Sequence, residues 1–228
     1  NGDQTSTVQA NTTAGFSIAT FSASDSAGQT VGHGLGSAPD FYIWKSRARA
    51  DNWYVYHREA GENGYLRLNT TDAFTTNTNV WSNTDPSSTV IYYGGNSLST
   101  NNENHVLYSF KSVKGYSKFG SYVGNGSNDG PFINTGFRPA WFLLKNTSAT
   151  QNWYLFDTSR SPRNPSNSAQ QVSGSSAEET GYPMDFLSNG FKIRHNDNAW
   201  NGSGNNFVYM AFAEHPFVTS NGTPNNAR

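Results

Sequence analysis

The chain states nearly the same pattern twice. Pro39, Lys45, Asn52, Trp53 and Tyr54 recur as Pro139, Lys145, Asn152, Trp153 and Tyr154, an offset of 100 at each of five positions. Similar pairs extend the match: Val55 with Leu155, Tyr56 with Phe156, and the run Phe41-Tyr42-Ile43-Trp44 with Trp141-Phe142-Leu143-Leu144. Further on, Val106-Leu107-Tyr108-Ser109-Phe110 answers Val208-Tyr209-Met210-Ala211-Phe212 at an offset of 102, so the two ends of the alignment differ by two inserted residues. A period this long lies outside the ~20–50-residue repeats of solenoids and propellers and fits a duplicated β-domain of sandwich size. The expected organisation is a polar N-terminal arm or linker over 1–14 and two repeats, 15–114 and 115–228.

Strand signals fill both repeats. Phe16 to Phe21 alternates apolar and small residues, as a half-buried strand requires, and Asp25-Ser26-Ala27-Gly28 ends it. Phe41–Lys45 and Trp141–Lys145 are short apolar runs after a proline, which suits a central strand buried on both faces. Trp53–His57 and Trp153–Asp157 follow after a hairpin-sized gap. Asn189-Gly190 is a tight-turn dipeptide between two further apolar runs. No window keeps a helical period for three turns, so the predicted fold is all-β: two homologous antiparallel β-sandwich, jelly-roll-like units in tandem.

Composition narrows the partners. Charged residues make up 14% of the chain and the net charge is -1, so no field gathers nucleic acid or an anionic membrane. No segment approaches the ~18 apolar residues that a spanning helix needs, and membrane insertion is not expected. Cysteine is absent, which removes disulfides, thiolate metal sites and cysteine nucleophiles together. The chain opens on Asn1 rather than Met, which fits a segment of a longer polypeptide.

Catalytic constellations are not apparent. His33, His57, His105, His195 and His215 are dispersed without metal-ligand spacing. Glu178-Glu179 are adjacent in a loop, whereas glycosidase carboxylates stand ~5–10 Å apart across a cleft. No Gly-x-Ser-x-Gly elbow is present. Gly32-His33-Gly34-Leu35-Gly36 is followed by Ala38-Pro39 and a strand rather than a helix, so it reads as a closely packed loop and not as a phosphate cradle. Asn125 to Gly130 offers at most a β-turn Ca²⁺ site at Asp129, with turn formation as its simpler role; no cofactor is expected.

Trp81 and Trp200 stand out because each lies in a polar loop, Val80-Trp81-Ser82-Asn83 and Ala199-Trp200-Asn201-Gly202. A ring in such a loop can stack on a sugar face while Asn83 or Asn201 bonds its hydroxyls; packing in a core or a subunit contact is the competing role. These four residues are the candidate ligand site.

Longer motifs carry a family resemblance: Thr30 to Gly36 with Pro39, Tyr65-Leu66-Arg67-Leu68-Asn69-Thr70-Thr71-Asp72-Ala73, Tyr116 to Gly126, Gly130-Pro131-Phe132, Thr135 to Pro139, Asp185 to Lys192 and Met210 to Phe217. Across residues 16–228 the chain resembles an uncharacterised domain of tailed-phage virion proteins, found in tail fibres and similar appendages. The resemblance implies a non-enzymatic structural protein exposed on the phage particle and assembled as a homotrimer with other virion proteins, and the polar loops with their tryptophans add binding of a bacterial surface glycan as its expected job. Alternatives are a capsid-decoration or head-fibre module without a ligand of its own, and a surface-polysaccharide depolymerase. The family brings no catalytic residues to assign.

Overall fold

The computed structural model describes residues 2–95, 98 and 102–216; residues 217–228 of the expected second repeat, Phe217 of its last motif included, lie outside them. The chain divides into two compact units, unit 1 comprising residues 1–68 and 74–112 and unit 2 residues 69–73 and 113–228. It is all-β with antiparallel sheets.

Unit 1 contains β1 (Ser6–Asn11), β2 (Phe16–Ala23), β3 (Gln29–Gly32), β4 (Phe41–Ser46), β5 (Tyr54–His57), β6 (Gly64–Arg67), β7 (Thr75–Thr76), β8 (Val90–Tyr93) and β9 (Glu103–Phe110). Unit 2 contains β10 (Ser117–Val123), β11 (Phe132–Asn134), β12 (Pro139–Asn146), β13 (Trp153–Asp157), β14 (Ser166–Gln171), β15 (Glu179–Leu187), β16 (Gly190–Ile193), α1 (Asn198–Asn201) and β17 (Asn206–Ala213).

The sheets repeat each other strand for strand. Unit 2 forms one eight-stranded sheet in the order β10-β17-β12-β13-β14-β15-β16-β11. Unit 1 keeps that order as β2-β9-β4-β5-β6-β7, adds β1 at the β2 edge, and separates its last two strands as the pair β8-β3. The register is also kept: Phe41 faces Phe110 as Trp141 faces Phe212, and Ser46 faces His105 as Asn146 faces Phe207. The break in unit 1 falls where a long loop joins β7 to β8; in unit 2 the tight turn at Asn189-Gly190 joins β15 to β16.

Each unit curls over its own aromatic core. In unit 1, Tyr42 stacks on Tyr56 at 4.5 Å, and Trp44 meets Phe21 and Tyr93, each at 4.8 Å. In unit 2, Phe142 stacks on Phe156 at 5.0 Å and on Phe191, from the far end of the sheet, at 4.4 Å. Such offset and edge contacts add about 0.5–1.5 kcal/mol each beyond the buried area. The sheet of unit 2 nearly closes into a barrel: Lys118 Nζ on edge strand β10 donates to the carbonyl of Asn134 on the opposite edge, β11, at 2.7 Å.

The ladders add two details to the sequence reading. Residues 1–14 are not merely an arm, because Ser6 to Asn11 pair with Phe21 to Phe16 as β1. Five of its six side chains are exposed, so the strand is held by its ladder and leaves no hydrophobic period in the sequence. In β2 the buried face is Ser17, Ala19, Phe21 and Ala23, while Ile18 is 36% exposed on the other. Small residues are required inward there because the Trp44 and Phe21 rings take up the volume.

Candidate functional site

At one end of unit 1 the β2–β3, β7–β8 and β8–β9 loops enclose a half-open cavity of about 580 Å³, lined by Ala27, Gly28, Thr78, Asn79, Ser82, Asn83, Gly94 and Gly95. No charged side chain is among them. Gly94 and Gly95 permit the enclosure: a Cβ on Gly94 would stand 1.8 Å from the Asn79 carbonyl oxygen, and one on Gly95 would stand 1.5 Å from that of Asp25. The β7–β8 loop therefore lies directly on the β8–β9 loop, backbone against backbone.

The lip of the cavity is strained. Ser82 and Asn83 are consecutive residues in the left-handed region, at φ 53 and 48. Asparagine tolerates this conformation better than serine, and a non-glycine pair persists only when its surroundings enforce it. Here the enforcing group is Trp81, 0% exposed and wedged edge-on against Tyr42 at 4.9 Å and Tyr56 at 6.3 Å. Turns close the loop around it: Ser82 N donates to Asn79 O at 3.3 Å, Thr84 N to Trp81 O at 3.1 Å and Gly94 N to Val80 O at 3.1 Å. Asn83 is exposed beside the cavity, and Ser82 Oγ is buried without a partner among the described residues.

Of the four predicted ligand residues, then, Asn83 alone is exposed and lines a cavity. Trp81 is a core side chain rather than a sugar platform. Trp200 is likewise 1% exposed, packed against Tyr182 at 4.3 Å, Tyr154 at 4.4 Å and Phe156 at 5.9 Å. The two indoles come from different loops yet wedge against the equivalent residues Tyr56 and Phe156. At the offset of 102, the place of Trp200 is held in unit 1 by Leu98, also buried, and Trp81 supplies the missing bulk from the β7–β8 loop. Burial of so large an apolar ring outweighs the polarity of its neighbours in sequence.

Asn201 is fully engaged and 0% exposed. Its Nδ2 donates to Asn125 Oδ1 at 2.9 Å, Ser127 O at 2.7 Å and His195 O at 3.0 Å, while its Oδ1 accepts from Asn125 N at 2.9 Å. It joins the β10–β11 loop to the β16–β17 loop, the same pair that meets at Gly95 and Asp25 in unit 1. One unit thus fills this junction with a buried amide, and the other leaves a cavity beside it.

The remaining candidates resolve into structural roles. His33 is buried, with Nδ1 accepting from Leu35 N and Nε2 facing the Ser87 carbonyl, each at 3.2 Å; this fixes the neutral tautomer, and burial lowers its pKa. It pins the glycine-rich loop. Asp129 is ion-paired with Lys192 at 2.8 Å, with Arg194 at 3.8 Å, and the Lys192 hydrogen bond and charge hold its carboxyl below the usual range. Two cations beside the only carboxylate of that loop make it a poor Ca²⁺ ligand. Among the described residues no three His, Cys, Asp or Glu side chains gather as a metal site.

Sequence reasoning missed Thr78, Asn79, Gly94 and Gly95. The Gly94-Gly95 pair directly after a strand was the available signal, since adjacent glycines mark close backbone approach. The chain belongs to the family described as a domain of unknown function, DUF7483, whose model matches residues 1–216. No curated protein and no solved structure matches it.

Proposed function

We propose that this DUF7483 domain is a non-enzymatic surface module of a tailed-phage virion, two tandem sandwich-like units that hold a neutral bacterial glycan at the loop cavity of unit 1. The observation that carries the reading is the cavity with no charge among its described lining residues and the strained Ser82-Asn83 pair at its lip. Amide, hydroxyl and backbone groups suit sugar hydroxyls, which need both donors and acceptors and no net charge. Strain of this kind concentrates at ligand clamps. The phage setting is supported by the motifs from Thr30 to Phe217 quoted above.

With Trp81 and Trp200 inside the cores, sugar recognition rests on hydrogen bonds, each contributing only about 0.5–1.5 kcal/mol net. Affinity at one site is then modest, and firm attachment requires several linked copies. Such a requirement fits an appendage that presents many identical modules.

A second reading, an architectural module without its own ligand, is favoured by unit 2, where Asn201 fills the junction equivalent to the cavity region of unit 1. The depolymerase reading gains no support from the cavity, whose described lining includes no carboxylate to serve as acid or base. The deciding experiment is glycan-array and whole-cell binding with the intact chain and its Asn83→Ala variant. Saturable binding that weakens in the variant supports the glycan module; absence of binding by the folded parent supports the architectural reading.

A further inference from the structure

We infer that edge strand β1 is a self-pairing surface through which two copies of this chain join their unit 1 sheets antiparallel, about a two-fold axis at Val8. This inference stands apart from the glycan reading and needs no ligand.

An edge strand exposes a row of unpaired backbone donors and acceptors, and folded proteins protect such rows with charge, proline, bulges or brevity. Those protections occur elsewhere in the molecule. The edge strand β7 has 2 residues, β11 has 3, and Lys118 on edge strand β10 reaches across to β11. Strand β1 has none of them. Its six residues, Ser-Thr-Val-Gln-Ala-Asn, contain no charge, proline or glycine, and its ladder with β2 is regular from Ser6 to Asn11.

The pairing with β2 fixes which way each side chain points. Ser6, Val8 and Ala10 oppose the buried Phe21, Ala19 and Ser17 and so share the inward face; Thr7, Gln9 and Asn11 share the other. Val8 remains 36% exposed on that inward face, beside a cavity of about 300 Å³ that it lines with Ser6 and the glycine-rich loop. The glycine-rich loop packs on Val8 at Gly34, and the cavity beside that contact leaves space on the inward side of β1 for side chains of an added strand.

A second copy meets these requirements. A two-fold axis perpendicular to the sheet keeps both faces continuous, so inward residues must oppose inward residues. Centred on Val8, it pairs Val8 with itself, Ser6 with Ala10 and Thr7 with Gln9. No like charges meet, and the half-exposed valine gains an apolar partner at the axis. The chain's net charge of -1 adds little repulsion between copies. This association is two-fold, in contrast to the three-fold one implied by the virion resemblance.

The absence of cysteine permits a direct test, because one introduced thiol is the only thiol present. Directly opposed residues lie ~4.5–5.5 Å apart and diagonal ones ~7–8 Å, whereas a disulfide needs a Cα separation of ~4.4–6.8 Å. The intact chain carrying Val8→Cys should form a disulfide dimer under mild oxidation, at least tenfold faster than Thr7→Cys or Gln9→Cys. Light scattering of the unmodified chain should approach twice its 25.0 kDa mass at high concentration. Val8→Lys, which opposes two ammonium groups at the axis, should raise the dissociation constant at least tenfold and leave thermal unfolding of the monomer unchanged. Equal crosslinking of all three cysteine variants, or faster crosslinking of Gln9→Cys, overturns the proposed register. A mass that stays at one chain or rises to three overturns the two-fold pairing, and a single-chain mass with β1 amides protected from exchange assigns the edge to another segment of the same chain.

Discussion

Asn125 and Asn201 bond each other twice: Asn201 Nδ2 donates to Asn125 Oδ1, and Asn125 N donates to Asn201 Oδ1, both at 2.9 Å. The same Asn201 amide also holds the carbonyls of Ser127 and His195, so a single buried side chain fastens two loops of unit 2. Replacing it with Ala removes those donors from a buried site, and each orphaned group costs about 1–3 kcal/mol. Asn201→Ala should lower the urea midpoint of unit 2, and Asn201→Asp, which can still accept from Asn125 N but loses every donor, should not restore it.

Trp81→Ala and Trp200→Ala should each act as core truncations, costing about 3–5 kcal/mol. The indole Nε1 of both residues has no acceptor among the described residues. Phenylalanine therefore removes an unmatched donor while keeping most of the ring, and Trp200→Phe should cost well under half of Trp200→Ala. Calorimetric unfolding of the three variants checks the ordering.

Two buried groups contribute opposite slopes to the pH dependence of stability, and His33, also lowered by burial, adds to the acidic one. Burial is the main cause that lowers His105 to about 4, against the opposing pull of Glu103. Between about 4 and the ordinary imidazole value of 6.5, the unfolded chain binds a proton that the folded chain refuses, so stability falls as pH drops through that window. Burial likewise lowers Lys145 to about 8, against the pull of Asp72; stability then rises as pH climbs from about 8 toward 10.5, where the unfolded lysine also becomes neutral. Urea midpoints measured across pH should show both slopes, with His105→Phe flattening the acidic one and Lys145→Met the alkaline one.

At the cavity, Asn83→Ala should weaken glycan binding by about 3–10-fold, the loss of one neutral hydrogen bond. Its melting temperature should stay within a few degrees of the parent, since the side chain is exposed. Because no charged residue is among the described residues lining the cavity, binding should change little between pH 5 and pH 8. Titration calorimetry at the two pH values, with a sugar identified on the array, measures both effects.

Gly95→Ala should be among the most damaging single-atom additions in unit 1, because the new methyl would meet the Asp25 carbonyl oxygen at 1.5 Å. Gly124→Ala should do the same in unit 2, where the obstacle is the Gly202 carbonyl oxygen at 2.3 Å. Both obstacles are backbone and cannot rotate away. Circular dichroism melts of the two variants provide the comparison.

The repeat was legible because ladder register constrains sequence at fixed spacing. Ser46 and Asn146, one offset apart, cap the equivalent hairpin of each unit: Ser46 Oγ accepts from Ala48 N and Arg49 N, and Asn146 Oδ1 from Ser148 N and Ala149 N. Lys45 and Lys145 also perform one task, donating to hairpin carbonyls at Arg49 and Gln151. The added bond from Lys145 Nζ to the Thr71 carbonyl at 3.0 Å was not foreseeable, since no local pattern links residues 74 apart. Strands such as β14, Ser-Asn-Ser-Ala-Gln-Gln, were hidden because polar side chains leave no period, although Ala169 is buried in the core. The tryptophans misled for a related reason: loop polarity describes the backbone's surroundings, whereas a ring of that size follows the nearest unfilled volume.

The Lys118 bond to Asn134 has a mechanical consequence for unit 2. Pulled apart along the strand direction, paired strands resist as a group, since every ladder bond must fail together. The seam between β10 and β11 is crossed instead by a side-chain bond, from the Lys118 ammonium to the Asn134 carbonyl. Under load the wall of this unit should open there first, uncurling into a flat eight-stranded ribbon while its ladders remain intact.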